Sequence, residues 1–168
     1  MTINFKAAVL VKQKKNLKIL KIQVPEKLKK GQVLVKILSA SICGAQLGEI
    51  EGKKGKDKWI PHCMGHEGYG VVIAKNNYVK NININDYVVM HWRKGAGENA
   101  EGAKYLSDYG IINSGQVTTF QEYAVVSENR ITKVKHSKKM ISIMPLLGCA
   151  IPTSWGLLYN EAGFKKEH

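Results

Sequence analysis

Cysteine is scarce in this 168-residue sequence, which holds only Cys43, Cys63 and Cys149. So small and odd a number, in a sequence without a secretory pattern, argues against a disulfide framework and points to thiols or metal ligands. Arginine is scarcer still. Arg93 and Arg130 stand alone, although lysine and arginine together number 26 against 13 acidic residues, for a formal charge of +13. Recognition of bases and phosphates favours the planar guanidinium fork over a hydrated ammonium. The lysine clusters at 12–15, 27–30, 53–58 and 133–139 fall on loops or strand ends and lack the period of a basic amphipathic helix. They read as solvated surface charge, and a specific nucleic-acid partner is not expected. Long apolar runs are also missing: residues 7–11 and 144–152 fall far short of the ~20 needed to cross a bilayer, and residues 1–11 lack a signal-peptide pattern. No membrane association is expected, and the expected location is cytoplasmic. The chain is long enough to bury ~70% of its unfolded surface, so one domain can form without staples.

What is present is mostly β pattern. Period-2 alternation and β-branched residues at 6–11, 17–24, 32–40, 68–74, 87–92 and 120–126 predict strands. Turn-rich intervals at 25–31, 52–61, 76–86 and 95–115 separate them at spacings typical of an antiparallel sandwich or barrel. Toward the C-terminus, residues 140–147 and 152–162 have helical length and apolar spacing. Pro152 suits a first turn, and Gly163 suits the left-handed position after a last one. Trp155, Leu158, Tyr159 and Ala162 share one helical face, which predicts that this helix packs on the core. Gly95-Ala-Gly97-Glu-Asn-Ala100 fits the letter of G-x-G-x-x-G/A. That fingerprint must open a helix inside a parallel βαβ unit, and the glycine-broken residues that follow cannot form one. A flexible loop is expected there, and no nucleotide-binding domain is visible.

The remaining chemistry lies in Cys and His. Cys63-x-x-His66 is the one close pair, and a structural zinc site would need a second. A catalytic zinc instead often takes three dispersed ligands and keeps an open position. Cys43 follows a predicted strand, His66 precedes one, and Cys149 lies between the two predicted helices. Spacing alone leaves open whether these three converge or are separate buried groups. His62, His91 and His136 read as packed or exposed histidines rather than ligands. Trp92, Trp155 and Tyr69 fit a pocket wall or the core equally well.

Four segments, taken in order, carry a resemblance. Ala40-Ser-Ile-Cys43-Gly-Ala, Pro61-His-Cys-Met-Gly65-His66-Glu67-Gly68-Tyr-Gly70-Val-Val, Asn85-Asp86-Tyr-Val-Val and Gly148-Cys149-Ala-Ile-Pro-Thr-Ser-Trp-Gly156 resemble successive landmarks of the zinc-containing medium-chain alcohol dehydrogenases. The resemblance implies a mainly β fold, a GroES-like, partly open antiparallel β barrel with short C-terminal helices. It also implies that Cys43, His66 and Cys149 bind a catalytic Zn2+, with Glu67 beside it as the candidate catalytic carboxylate. Two thiolates and an imidazole nearly neutralise the ion, which could then activate a small alcohol or polarise its carbonyl partner for hydride transfer to or from NAD(P).

Four departures qualify what the resemblance implies. Ala45 stands where the family usually has a proton-relaying Ser or Thr, leaving Ser41 and Glu67 as the nearest substitutes by sequence. Gln46 stands where the family has an Asp that orients the zinc histidine; its amide oxygen is expected to accept the imidazole N–H, as a weaker partner than a carboxylate. Residues 90–116 contain no cysteine, so no structural zinc is expected. Finally, residues 1–163 cover the GroES-like zinc-binding domain, and 164–168 read as the start of a link to a dinucleotide-binding domain that the sequence does not contain. NAD(P) binding would then need that Rossmann domain, in a longer polypeptide or as a separate chain, and this chain alone would be an incomplete enzyme. The other readings are a non-catalytic, truncated β-barrel interaction module and, less favoured, a basic nucleic-acid-binding protein. The oligomeric state is not legible.

Overall fold

A computed structural model of the chain describes residues 3–163; the expected link at 164–168 lies outside them. Two β layers form the body. The first is a five-stranded ring of β1 (Asn4–Leu10), β2 (Lys18–Gln23), β7 (Lys104–Ser107), β8 (Gly110–Asn113) and β4 (His62–Cys63). β1 shows why it forms: Phe5, Ala7 and Val9 alternate inward while Asn4 and Lys6 face solvent. They meet Ile22, Tyr105, Ile112 and Cys63 in one core, with Phe5 set edge-on to Tyr105 at 5.7 Å. The ring closes through β4 alone, which pairs antiparallel with β1 and parallel with β8 through His62 and Asn113.

The second layer is an open antiparallel sheet in the order β10 (Ile131–Lys133), β6 (Tyr87–Met90), β5 (Gly68–Lys75), β3 (Gln32–Ala40) and β9 (Tyr123–Ser127). Val33, Val35, Val72, Val88, Met90 and Val126 fill its core. Fully burying a Val or Met side chain contributes ~1.5–3 kcal/mol, so this cluster anchors the strands that carry the site. The pairing of β3 with β5 shifts register between Leu34 and Val35 and again between Ile37 and Ser39, irregularities that increase local twist.

Loops are tied down by one buried carboxylate. Glu128 accepts backbone N–H bonds from Lys80, Asn81 and Glu98 at 2.9–3.1 Å. Burial opposes its charge, but these donors win and hold its pKa below the ordinary 4.5.

The six predicted strands are present, and four shorter ones were not anticipated. The interval 95–115, read as turn, contains the β7–β8 hairpin, and β4 and β10 are too short to show a period. A short helix, α1 (Gly44–Ile50), follows β3. The predicted helix at 140–147 is instead a pair of 3-10 turns, Lys138–Met140 and Met144–Gly148. The second predicted helix is α2 (Ala150–Gly156) continued by a π turn, Leu157–Glu161, with Gly163 left-handed at φ +62°.

Its packing corrects the sequence expectation. Trp155 is 60% exposed, and Leu158, Tyr159 and Ala162 are exposed too, so the apolar stripe is not core. Trp155 stacks on Tyr159 instead, at 4.4 Å between ring centres. Helical spacing reports a face, not what lies opposite it. Trp92 is likewise exposed, whereas Tyr69 is fully buried. Among the described residues no helix is long and apolar enough to cross a membrane.

Candidate metal centre

Three separate connections bring the predicted site residues together. Cys43 caps the N-terminus of α1 directly after β3. His66 and Glu67 sit in the short link from β4 to β5, and Cys149 sits between the Met144–Gly148 turn and α2. One ligand atom from each of Cys43, His66, Glu67 and Cys149 lies within 4.8 Å of the others. Glycines allow the approach. At Gly65, with φ +88°, a Cβ would strike Thr119 and the Phe120 ring, and at Gly148 it would strike the Met90 carbonyl and Glu67.

Glu67 is 1% exposed, and its Oε2 accepts the Ala150 N–H at 3.3 Å, tying the start of α2 to the sheet. His66 Nε2 is buried and has no hydrogen-bond partner. Burial lowers the His66 pKa, outweighing the neighbouring Glu67 and Glu49 charges that favour protonation, so the ring is neutral at pH 7. Burial also raises the Cys149 thiol, and Cys43 and Glu67 nearby add to that effect. Negative charge on this sulfur is therefore disfavoured until a cation joins the group. A neutral imidazole with an orphaned nitrogen, beside two thiols and a carboxylate, is a donor set that fits a zinc ion.

Gln46 departs from the sequence expectation. Its Oε1 accepts the Cys43 backbone N–H at 2.9 Å, so it is the amide nitrogen, not the oxygen, that faces His66 Nδ1, at 2.5 Å. Ala45, Gln46 and His66 line a cleft of about 920 Å³ that also reaches Lys54, Asp57 and Trp59. Ala45 offers it only a methyl. Of the two residues nominated to replace a relay there, Glu67 is in the cluster, and Ser41 carries a buried hydroxyl without a partner.

The third cysteine is elsewhere. Cys63 is buried in the barrel core, and burial pushes its thiol up to about 12, which makes it inert. His91 is held by the Arg93 carbonyl and the Thr132 hydroxyl, and His136 stacks on Tyr87 at 4.1 Å while accepting from or donating to the Tyr69 hydroxyl. A second group went unnoticed in the sequence: Glu49, Asp57 and His62 also bring ligand atoms within 4.8 Å of one another. His62, expected to be either packed or exposed, is buried, and nothing in its spacing pointed to its acidic partners.

Residues 29–136 match the family described as alcohol dehydrogenase GroES-like domain. The chain belongs to this family. Among its relatives, the class-3 alcohol dehydrogenase of Drosophila melanogaster is 29% identical over 185 aligned positions, covering 95% of this chain and 48% of that protein. An alcohol dehydrogenase of Geobacillus stearothermophilus is 29% identical over 162, covering 94% and 48%. The chain thus spans about half the length of the curated relatives it matches. The same GroES-like fold appears in the crystal structure of an alcohol dehydrogenase zinc-binding domain protein from Burkholderia ambifaria, at TM-score 0.80 and 22% identity over 95% of this chain and 49% of that one. Benzyl alcohol dehydrogenase from Acinetobacter calcoaceticus superposes at TM-score 0.74 and 24% identity, covering 94% and 48%.

Proposed function

We propose that residues 1–163 form the metal-bearing domain of an alcohol dehydrogenase-type active site, in which Cys43, His66 and Cys149 hold one catalytic zinc ion and Glu67 is the carboxylate beside it. The observation that carries this reading is the convergence of these donor atoms within 4.8 Å around a buried, unpartnered imidazole nitrogen. As thiolates, Cys43 and Cys149 balance a divalent charge, and neutral His66 completes a three-ligand set with room for a fourth. Glu67 holds Cys149 in place through the Ala150 N–H. Zinc so bound supplies Lewis acidity toward an alcohol or carbonyl oxygen.

The substrate class is a small alcohol or its carbonyl partner, entering from the cleft beside Ala45 and Trp59. With no hydroxyl at Ala45, ordered water in that cleft takes the proton. The hydride partner is NAD(P), held by a Rossmann domain in the same polypeptide or in a separate chain.

Metal analysis of the full chain after zinc exposure and desalting tests this. About one zinc per chain is expected, falling by at least ~90% in Cys43→Ser or Cys149→Ser. Undiminished zinc in both variants, or none in the unsubstituted chain, overturns it.

A further inference from the structure

We propose that Gln46 is a positioning residue that holds His66 in the Nε2–H tautomer and thereby sets how tightly the cluster takes zinc. The inference rests on the zinc reading above for its second part only. Two groups meet the end of the Gln46 side chain. One is the Cys43 backbone N–H, which heads α1 and is bound by Oε1 at 2.9 Å. The other position is taken by His66 Nδ1, 2.5 Å from Gln46 Nε2. An amide nitrogen only donates, so Nδ1 must supply a lone pair, and the single proton of a neutral imidazole then sits on Nε2. That is the nitrogen buried among the candidate ligands with no partner.

Binding a metal through Nε2 requires the opposite tautomer. The proton must move to Nδ1, where it meets the amide N–H2 head-on. Turning the amide over brings the oxygen to His66 but sets its nitrogen against the Cys43 N–H. Either way one donor of a part-buried pair loses its acceptor. A carboxylate of the same length has no such conflict, because one oxygen serves Cys43 and the other serves Nδ1–H. Gln46 therefore works against metal capture, where most groups behind a metal-binding histidine favour it.

The decisive variant is Gln46→Glu, which exchanges NH2 for oxygen at constant shape. In the metal-free chain at pH 8, 15N NMR of the His66 ring, assigned against His66→Ala, reports the tautomer directly. Nε2–H is expected in the unsubstituted chain and Nδ1–H in Gln46→Glu. Zinc affinity measured by chelator competition should rise about 10- to 100-fold in the variant. An Nδ1–H ring in the unsubstituted chain, or a change in affinity below about threefold in Gln46→Glu, overturns the proposal. If the chain takes no zinc at all, the zinc reading fails, while the metal-free tautomer still decides the role of Gln46. A Gln46→Glu chain that misfolds leaves the unsubstituted spectrum to decide it.

Discussion

His62 and His66 both meet α1, through Glu49 and Gln46, and are wired in opposite ways. Each is partly or wholly buried, and each has acidic or sulfur groups within 4.8 Å. His62 has both ring nitrogens engaged, Nδ1 with the Cys63 carbonyl at 2.9 Å and Nε2 with Asp57 Oδ2 at 2.7 Å. His66 has one nitrogen against Gln46 and the other against nothing. The first cluster is closed by its own hydrogen bonds and serves the fold. The second carries an unmet valence, which stabilises nothing until a ligand arrives. The bond inventory separates them as the residue types do.

The largest effect expected from this contrast is a crossed pair. His66→Ala should abolish zinc uptake in metal analysis and cost the metal-free chain about 1 kcal/mol by urea titration, since it leaves the buried Gln46 amide N–H2 without its acceptor. His62→Ala should keep the zinc and cost about 2 kcal/mol of stability, since it strands the buried side of Asp57. Equal zinc loss in both variants would erase the distinction.

A satisfied charge should behave like His62. Glu128→Gln sets an amide N–H2 against one of three backbone N–H donors, and a loss of about 2 kcal/mol is expected at pH 7 by urea titration. The folded pKa of Glu128 lies below its ordinary 4.5, so its contribution is fully present above that value and is lost as pH falls through the folded one. The gap between the unsubstituted chain and the variant should therefore close on acidification below pH 4.5. A gap independent of pH would show that the carboxylate charge is not what holds these loops.

The smallest effect belongs to the exposed stripe. Trp155→Ala is expected to change stability by under about 0.5 kcal/mol, whereas the core packing inferred from helical spacing would cost about 3–5. Thermal unfolding distinguishes the two.

This last case marks where sequence reading stops. Alternation or β-branched runs made β1, β2, β3, β5, β6 and β9 legible. β7 and β8 stayed hidden because four residues bounded by glycine and turn residues, with Leu106 and Ile111 outward, carry too little period to stand out. α1 is seven residues with only Gln46 buried, so it has no apolar stripe. At the candidate site, motifs pointed to Cys43, His66, Glu67 and Cys149, and the structure brings their donor atoms together. The direction of the Gln46 amide was not, because it depends on the Cys43 N–H left free where α1 begins, a backbone group with no letter in the sequence.

The seam of the ring adds a kinetic consequence. β4 is two residues long, closes the barrel against β1 and β8, and runs within three residues into His66. So short a zipper is expected to open before the rest of the barrel does, each opening carrying an imidazole away from its companions. Amide exchange at Cys63 and escape of the proposed zinc from His66 should therefore share one clock, set by the barrel's shortest joint.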